Sequence, residues 1–411
     1  MIRRRSTGDG SGRLNRVSAQ DLGGSVPVGY LIPVALVALG TLFALRPVPF
    51  ERPLGRVSYY LGLAINELPF AAFFWMLLIP TALAFAEGDV HSAGGWAIVA
   101  VAVVTTPGLA VIAWRGLGDR ARIEDAMDRG LGPGWRDAID AGLRRRPPLL
   151  RILFLPILKR RFDVRRVADL SYGDAGRRNL LDVYHHRSRP GGAPVMIHLH
   201  GGHYDSGHKN SQSLALLHHL AHRGWVCVSA NYRLRPKAQH PDHLIDLKKI
   251  IAWVREHGHE YGADPSTLFV AGSSAGGHMA ALAGLTPNDP AFQPGFADAD
   301  TSVTGVIYLN GWYGPYFNDE PGSSPFDHIT PDAPPFLVAH GDLDPLVPVA
   351  HARRFTDALR RTSRAPVVYA ELRGGNHAFD LYHSFRFEAL IDAIEAFTTH
   401  PHPPTTPPNT T

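Results

Sequence analysis

One cysteine, Cys227, stands among 411 residues. A single thiol excludes an intramolecular disulfide framework, an iron–sulfur cluster and a cysteine-rich zinc centre. Charge is also scarce. Asp, Glu, Lys and Arg make up 19% of the chain, below the ~25% usual in soluble domains, so part of the chain is expected to avoid water. The excess of base over acid is only +4, from 41 basic and 37 acidic residues. So mild an excess gives no reason to expect a nucleic-acid partner. No internal repeat breaks the sequence into units. Apolar side chains are plentiful, at 45%, which excludes disorder of the whole chain. The length exceeds one ordinary domain of about 100–200 residues and suits one large α/β domain with additional segments.

The charge is unevenly spread. Residues 1–114 carry 8 basic and 6 acidic groups, residues 115–166 carry 14 and 7, and residues 167–411 carry 19 and 24. With hydropathy, this predicts a basic tail at 1–25, a transmembrane region at 26–114, a basic connector at 115–166, a catalytic domain at 167–399 and a disordered Pro/Thr tail at 400–411.

Three runs in the second of these units hold no charge: residues 26–45, 68–86 and 93–114. About 20 apolar residues in a helix cover the ~30 Å of a bilayer core, so each run is long enough to span. Their internal Pro and Gly residues are tolerated in membrane helices. A soluble helix would show a polar face, and these show almost none. The first run starts late and two more follow it, which favours retained helices over a cleaved signal peptide. The loop Glu87–Ser92 has no Lys or Arg, whereas Arg46, Arg52 and Arg56, and then Arg115, Arg120 and Arg122, flank the second and third runs. The positive-inside rule therefore puts everything after Trp114 on the cytoplasmic side. The Arg3–Arg5 cluster opposes that count if the first run also crosses, so its crossing stays open.

Within the connector, Leu149–Leu158 is an apolar core bracketed by arginines and too short to span. It reads either as an interfacial segment among anionic head groups or as a packing helix broken at Pro156.

From about Val167 the pattern becomes α/β: a mostly parallel sheet with helices on both faces. Strands are expected at 180–184, 195–200, 226–230, 268–271, 303–309, 335–339 and 367–371. Helices are expected at 211–222, 241–257, 276–285, 350–361 and 385–398; in the second, Leu244, Leu247, Ile251 and Val254 share one face.

Gly272-Ser273-Ser274-Ala275-Gly276 fits G-x-S-x-G between a strand and a small-residue helix, the context in which a strained turn lifts a nucleophilic serine above a sheet. Only Ser274 has glycine at both −2 and +2. Upstream, His200-Gly201-Gly202-His203 follows a strand, and its amides can face a developing oxyanion. The expected donors are Gly201, Gly202 and, after the nucleophile, Ala275. A serine needs a histidine to take its proton and a carboxylate to fix that histidine's tautomer. Asp344 and His377 lie just past strand ends in the order Ser, acid, His, and are chosen for these roles. Asp342 competes as acid and His383 as base.

At these residues the chain resembles the α/β-hydrolase superfamily. It is similar to carboxylesterases and lipases of the hormone-sensitive-lipase type through HGGHY, NYRL, GSSAGG, HGDLDPLVP and NHAF, in order, over about 167–398. In that pattern the acid is the Asp four residues after the His of HGxxD, here Asp344. The N-terminal membrane region resembles membrane-bound actinobacterial esterases and lipases, and in the family N-terminal helices often cap the site, a place open to 115–166. Two positions depart: His203 stands where a third glycine is usual, and Ser273 where an acid often precedes the nucleophile. The resemblance implies a membrane-anchored serine esterase acting on a small-molecule or lipid ester, without cofactor or metal. Amide hydrolysis of the arylformamidase type, acyl transfer and a catalytically inactive scaffold are the alternatives.

The remaining features have plain readings. His198-x-His200-x-x-His203 lacks the Asp of a zinc motif, since Gly202 stands there. His218, His219 and His222 are expected on a solvated helix face. Cys227 is expected in the core. The aromatic-rich stretch 311–330 either lines an acyl pocket or packs.

Overall fold

The computed structural model describes residues 27–136, 146–189, 191–317 and 320–401. The tail expected at 1–25, and all but the first two residues of the 400–411 tail, lie outside the described residues.

The chain begins with four helices: α1 (Val28–Leu45), α2 (Gly55–Glu67), α3 (Pro69–Glu87, with a π-helical stretch at Ala72–Leu78) and α4 (Ala93–Leu131). Among the described residues, α1, α3 and α4 are long and apolar enough to cross a membrane. Their large apolar side chains mostly face outward, among them Leu36, Leu42, Trp75, Leu83, Val103 and Val104. The inward side is built for close helix packing: a methyl on Gly40 would meet Ile65, and one on Gly108 would meet Thr41.

The α4 helix does not stop where charge returns at Arg115. It continues to Leu131, 39 residues in all. Ile123, Ala126 and Met127 pack into the same core cluster as the sheet. At Gly130 an added Cβ would lie 2.6 Å from a Val368 methyl, so the helix touches the sheet there. The first part of the connector is thus a continuation of α4 packed on the catalytic domain. A short helix, α5 (Leu149–Phe154), follows.

Eight strands form one sheet in the order β1-β2-β4-β3-β5-β6-β7-β8. They are β1 (Val164–Ser171), β2 (Leu180–His186), β3 (Ala193–Leu199), β4 (Val226–Ala230), β5 (Ala263–Ser273), β6 (Gly305–Leu309), β7 (Phe336–Gly341) and β8 (Val367–Leu372). β2 runs antiparallel to both its neighbours, and the rest pair in parallel. Central strands such as VCVSA and GVIYL are buried throughout, as strands covered on both faces must be. β1 begins three residues inside the segment read as connector. Its Arg-rich, mostly exposed sequence belongs to an edge strand and lacks the apolar run that marks a buried one.

Helices cover both faces. α7 (Asp242–His257), α8 (Ala275–Leu285) and α9 (Val349–Thr362) pack on one side. α6 (Leu214–His222), α10 (Phe385–Thr399) and the end of α4 pack on the other. The C-terminal ends of β5, β7 and β8 therefore present their loops along one edge, where open α/β sheets place their sites.

Candidate active site

Ser274 occupies the turn between β5 and α8 with φ 56° and ψ −119°. A non-glycine residue in that region stores about 1–3 kcal/mol of strain, which only a rigid surround maintains. The surround is visible: the Ser274 amide donates to the Leu309 carbonyl at 3.0 Å and meets Asn310 Oδ1 at 3.2 Å. The two motif glycines are obligatory for packing. A Cβ on Gly272 would fall 2.1 Å from the Gly276 carbonyl oxygen, and one on Gly276 would fall 2.2 Å from that of Leu199. The N-terminus of α8 starts at the next residue, so its positive dipole end faces the nucleophile.

His377 Nδ1 lies 2.6 Å from Asp344 Oδ2. An ionised carboxylate only accepts, so Nδ1 carries the hydrogen and Nε2 is left free to take one. Asp344 is held in turn by the Leu346 and Val347 amides, at 2.8 and 2.9 Å on Oδ1. Burial pushes its carboxyl up, but His377, His340 and the Val347 amide outweigh that and hold it below the usual carboxylate range. The competing candidates are occupied elsewhere. Asp342 Oδ1 accepts from the Gly374 amide at 2.6 Å and braces the loop after β8. His383 pairs with Glu388 inside α10.

The oxyanion loop departs from expectation at one donor. The Gly201 amide donates to Gln212 Oε1, so of the three expected donors it is already engaged. The Gly202 and Ala275 amides keep no protein acceptor among the described residues. Gly202 has φ 121°, and His203 and Tyr204 after it are also left-handed. A Cβ at Gly202 would meet the Ser206 carbonyl at 2.3 Å, which explains glycine there.

Three contributors carried no sequence signal. Gln212 falls in the helix expected at 211–222, but that helix begins at Leu214, which leaves Gln212 in the loop before it. Asp380, fully buried, accepts from Ser213 Oγ at 2.5 Å and Ser273 Oγ at 2.6 Å. It thereby clasps the residue before the nucleophile to the loop that carries His377. Tyr59 on α2 sits with its ring 6.3 Å from the His377 ring, and burial together with Asp344 pushes its hydroxyl pKa upward. Thus α2, which lies between the first two apolar helices, packs beside His377.

The other histidines are spent locally. His198 and His200 are pushed down to about 4 and about 3 by burial; His200 stacks on Tyr232. His203 is exposed and edge-on to Phe317. The expected solvated face at 218–222 is not found: His218 and His219 are buried, and His219 pairs with Glu395 at 2.7 Å. Cys227 is fully buried in β4. In the 311–330 stretch Tyr313 and Tyr316 belong to the main core, so at those residues packing prevails; 318–319 lie outside the described residues. A cavity of about 340 Å³ between Pro148–Asp163 and α10 contains none of the residues Ser274, Asp344 and His377.

Comparison with known proteins gives the family. The BD-FAE family profile matches residues 181–316. Probable carboxylic ester hydrolase LipM of Mycobacterium tuberculosis is 38% identical over 407 residues, covering 90% of this chain and 92% of its own. The chain belongs to the α/β-hydrolase carboxylesterases. Esterase LipQ of the same organism is 37% identical over 66% of this chain and 72% of its own. Thermogutta terrifontis esterase 2, solved phosphoramylated by tabun, superimposes with a TM-score of 0.50 at 24% identity, over 57% of this chain and 94% of its own. That likeness carries the fold. By its family the chain is a carboxylic ester hydrolase.

Proposed function

We propose that this carboxylesterase is membrane-anchored and works through Ser274, His377 and Asp344. The reading rests on one observation above others: a strained serine at a strand–helix elbow, with a histidine on the same sheet edge whose Nδ1 is held at 2.6 Å by a buried carboxylate. Ser274 Oγ attacks the ester carbonyl carbon and its proton passes to His377 Nε2. The carbonyl oxygen gains the negative charge and rests on the Gly202 and Ala275 amides, each such donor being worth about 3–4 kcal/mol in the transition state. The C–O bond to the alcohol breaks as His377 returns the proton to the leaving oxygen. Water, deprotonated by His377, then splits the acyl-serine into carboxylic acid and free enzyme. Asp344 keeps His377 in the productive tautomer and stabilises the imidazolium.

The α1, α3 and α4 helices supply the anchor. The arginine-free turn between α3 and α4 and the arginines at their other ends favour a cytoplasmic catalytic domain.

The test is hydrolysis of p-nitrophenyl esters from acetyl to palmitoyl by full-length protein in detergent, beside Ser274→Ala. Activity present in the first and absent in the second supports the triad. Equal rates on every ester would remove Ser274 from the role.

A further inference from the structure

We propose that the apolar surface of residues 149–162, together with α2, lies in the interface of an anionic bilayer, and that a long-chain ester reaches Ser274 from the acyl layer between these two elements. The proposal rests on the membrane anchoring inferred above and adds the docking surface and the substrate class.

Connectivity supplies the first support. α2 joins the end of α1 to the start of α3, so it sits at the membrane face where both of those helices end. α3 and α4 are joined by the short turn around Asp89–His91 at the opposite face. α4 therefore returns to the α2 side before entering the catalytic domain. The same face thus carries α2, the catalytic domain and residues 149–162.

The second support is contact with the site. Tyr59 of α2 faces His377, and the Phe50 amide just before α2 donates to the Pro345 carbonyl, beside Asp344, at 3.2 Å. From the other element, the Pro156 carbonyl accepts from the His383 amide at 3.0 Å. Phe154 and Phe385 each pack on an α3 ring, Phe74 and Phe70, at 5.7 and 5.6 Å. The loop from His377 to Phe385 is held between α2, the start of α3 and the 149–159 stretch.

The third support is the surface itself. Ile157 is 73% exposed and Phe162 fully so, with Leu149, Leu150, Leu155 and Leu158 beside them. On α2's side Leu54 and Tyr60 are each 66% exposed. Large apolar side chains exposed in such number on two short segments mark an interaction surface. Its continuity with α3 through Phe74 and Phe154 selects the bilayer as occupant over a soluble protein. Arg151, Arg160 and Arg161 are interleaved with the apolar side chains, the pattern of an interfacial segment beside anionic head groups.

The experiment uses full-length protein in phosphatidylcholine vesicles with and without phosphatidylglycerol. Since Cys227 is buried, Phe162→Cys offers a single reactive thiol for an environment-sensitive fluorophore. The label is expected to resist aqueous iodide and to be quenched by lipids brominated on their chains, more strongly with phosphatidylglycerol present. Ile157→Glu with Phe162→Glu should lower kcat/KM on p-nitrophenyl palmitate held in the vesicles by about tenfold or more, while p-nitrophenyl acetate hydrolysis in water stays unchanged. A label open to iodide, or equal palmitate rates, overturns the proposal. Labelled Phe162→Cys protein that floats with the vesicles and shields the label, while it and wild type both leave acetate intact, would overturn the triad reading instead. Protein that does not float with vesicles overturns the anchor and this proposal together.

Discussion

Asp119 of α4 and Arg386 of α10 are both fully buried and joined at 2.6 Å. The same guanidinium also pairs with Glu67 of α2 and donates to the Arg373 carbonyl. One arginine of the catalytic domain therefore fastens two N-terminal helices, and one of them, α2, places Tyr59 beside His377.

Removal of that guanidinium leaves Glu67 with only the hydrogen bonds from Asn66 and Ser384, and Asp119 with only Arg122 at 3.8 Å and the Arg373 amide, a loss of about 3–5 kcal/mol. Arg386→Met is expected to lower the thermal midpoint of the detergent-solubilised protein sharply. Arg353→Met is the control: its pair with Glu371 is exposed, and such pairs contribute about 0–1 kcal/mol. Equal midpoints for the two variants would refute the fastening role.

The two acids in HGDLD should separate cleanly. Asp344→Asn presents a donor where His377 needs an acceptor, which stabilises the wrong tautomer and should reduce kcat by about 10⁴. Asp342→Asn retains the oxygen that accepts from Gly374 and is expected to stay within a few-fold of wild type. Steady-state kinetics on p-nitrophenyl butyrate distinguishes them; a large loss in Asp342→Asn alone would reverse the assignment.

Asp380 is a positioning residue behind the elbow. Asp380→Ala leaves the Ser213 and Ser273 hydroxyls without their buried acceptor, and each orphaned group costs about 1–3 kcal/mol. The expected result is a fall in kcat of about tenfold or more with KM little changed. Asp380→Asn, which keeps an acceptor oxygen, should recover much of it. If both variants lose only thermal stability and keep kcat, Asp380 merely holds the fold.

Lys248 of α7 gives a pH signature. It is buried against the Thr286 carbonyl and Thr301 Oγ1, and burial pushes its pKa down from 10.5 to about 8. Between those values the unfolded chain binds the extra proton, so stability rises with pH across that window. Lys248→Met should remove the rise. Thermal unfolding at pH 7.5 and pH 10 measures it, and identical pH trends in the two proteins would count against a shifted lysine.

The catalytic core was legible because its chemistry is local. Ser274, the oxyanion glycines, Asp344 and His377 each follow a strand that is buried and nearly continuously apolar, and parallel pairing then aligns their loops. Gly201 could not be judged from sequence, since its amide is spent on a glutamine from the following loop. Asp380 was hidden for the same reason: its role exists only once Ser213 and Ser273 are brought to it. β1 escaped notice because an edge strand with outward arginines shows no apolar run. α2 is amphipathic and lies between two stronger apolar signals, so nothing local marks it as the element that meets His377. The extent of α4 was masked by the return of charge at Arg115, although the 119, 123, 126 and 127 spacing already held the face that packs on the sheet.

The most direct test of the catalytic assignment is stoichiometric labelling of the full-length protein with a fluorophosphonate, followed by peptide mass mapping. One adduct per chain is expected, on Ser274, formed in step with the loss of ester hydrolysis. Full inactivation with the adduct on another residue, or undiminished hydrolysis after Ser274 is labelled, would contradict it.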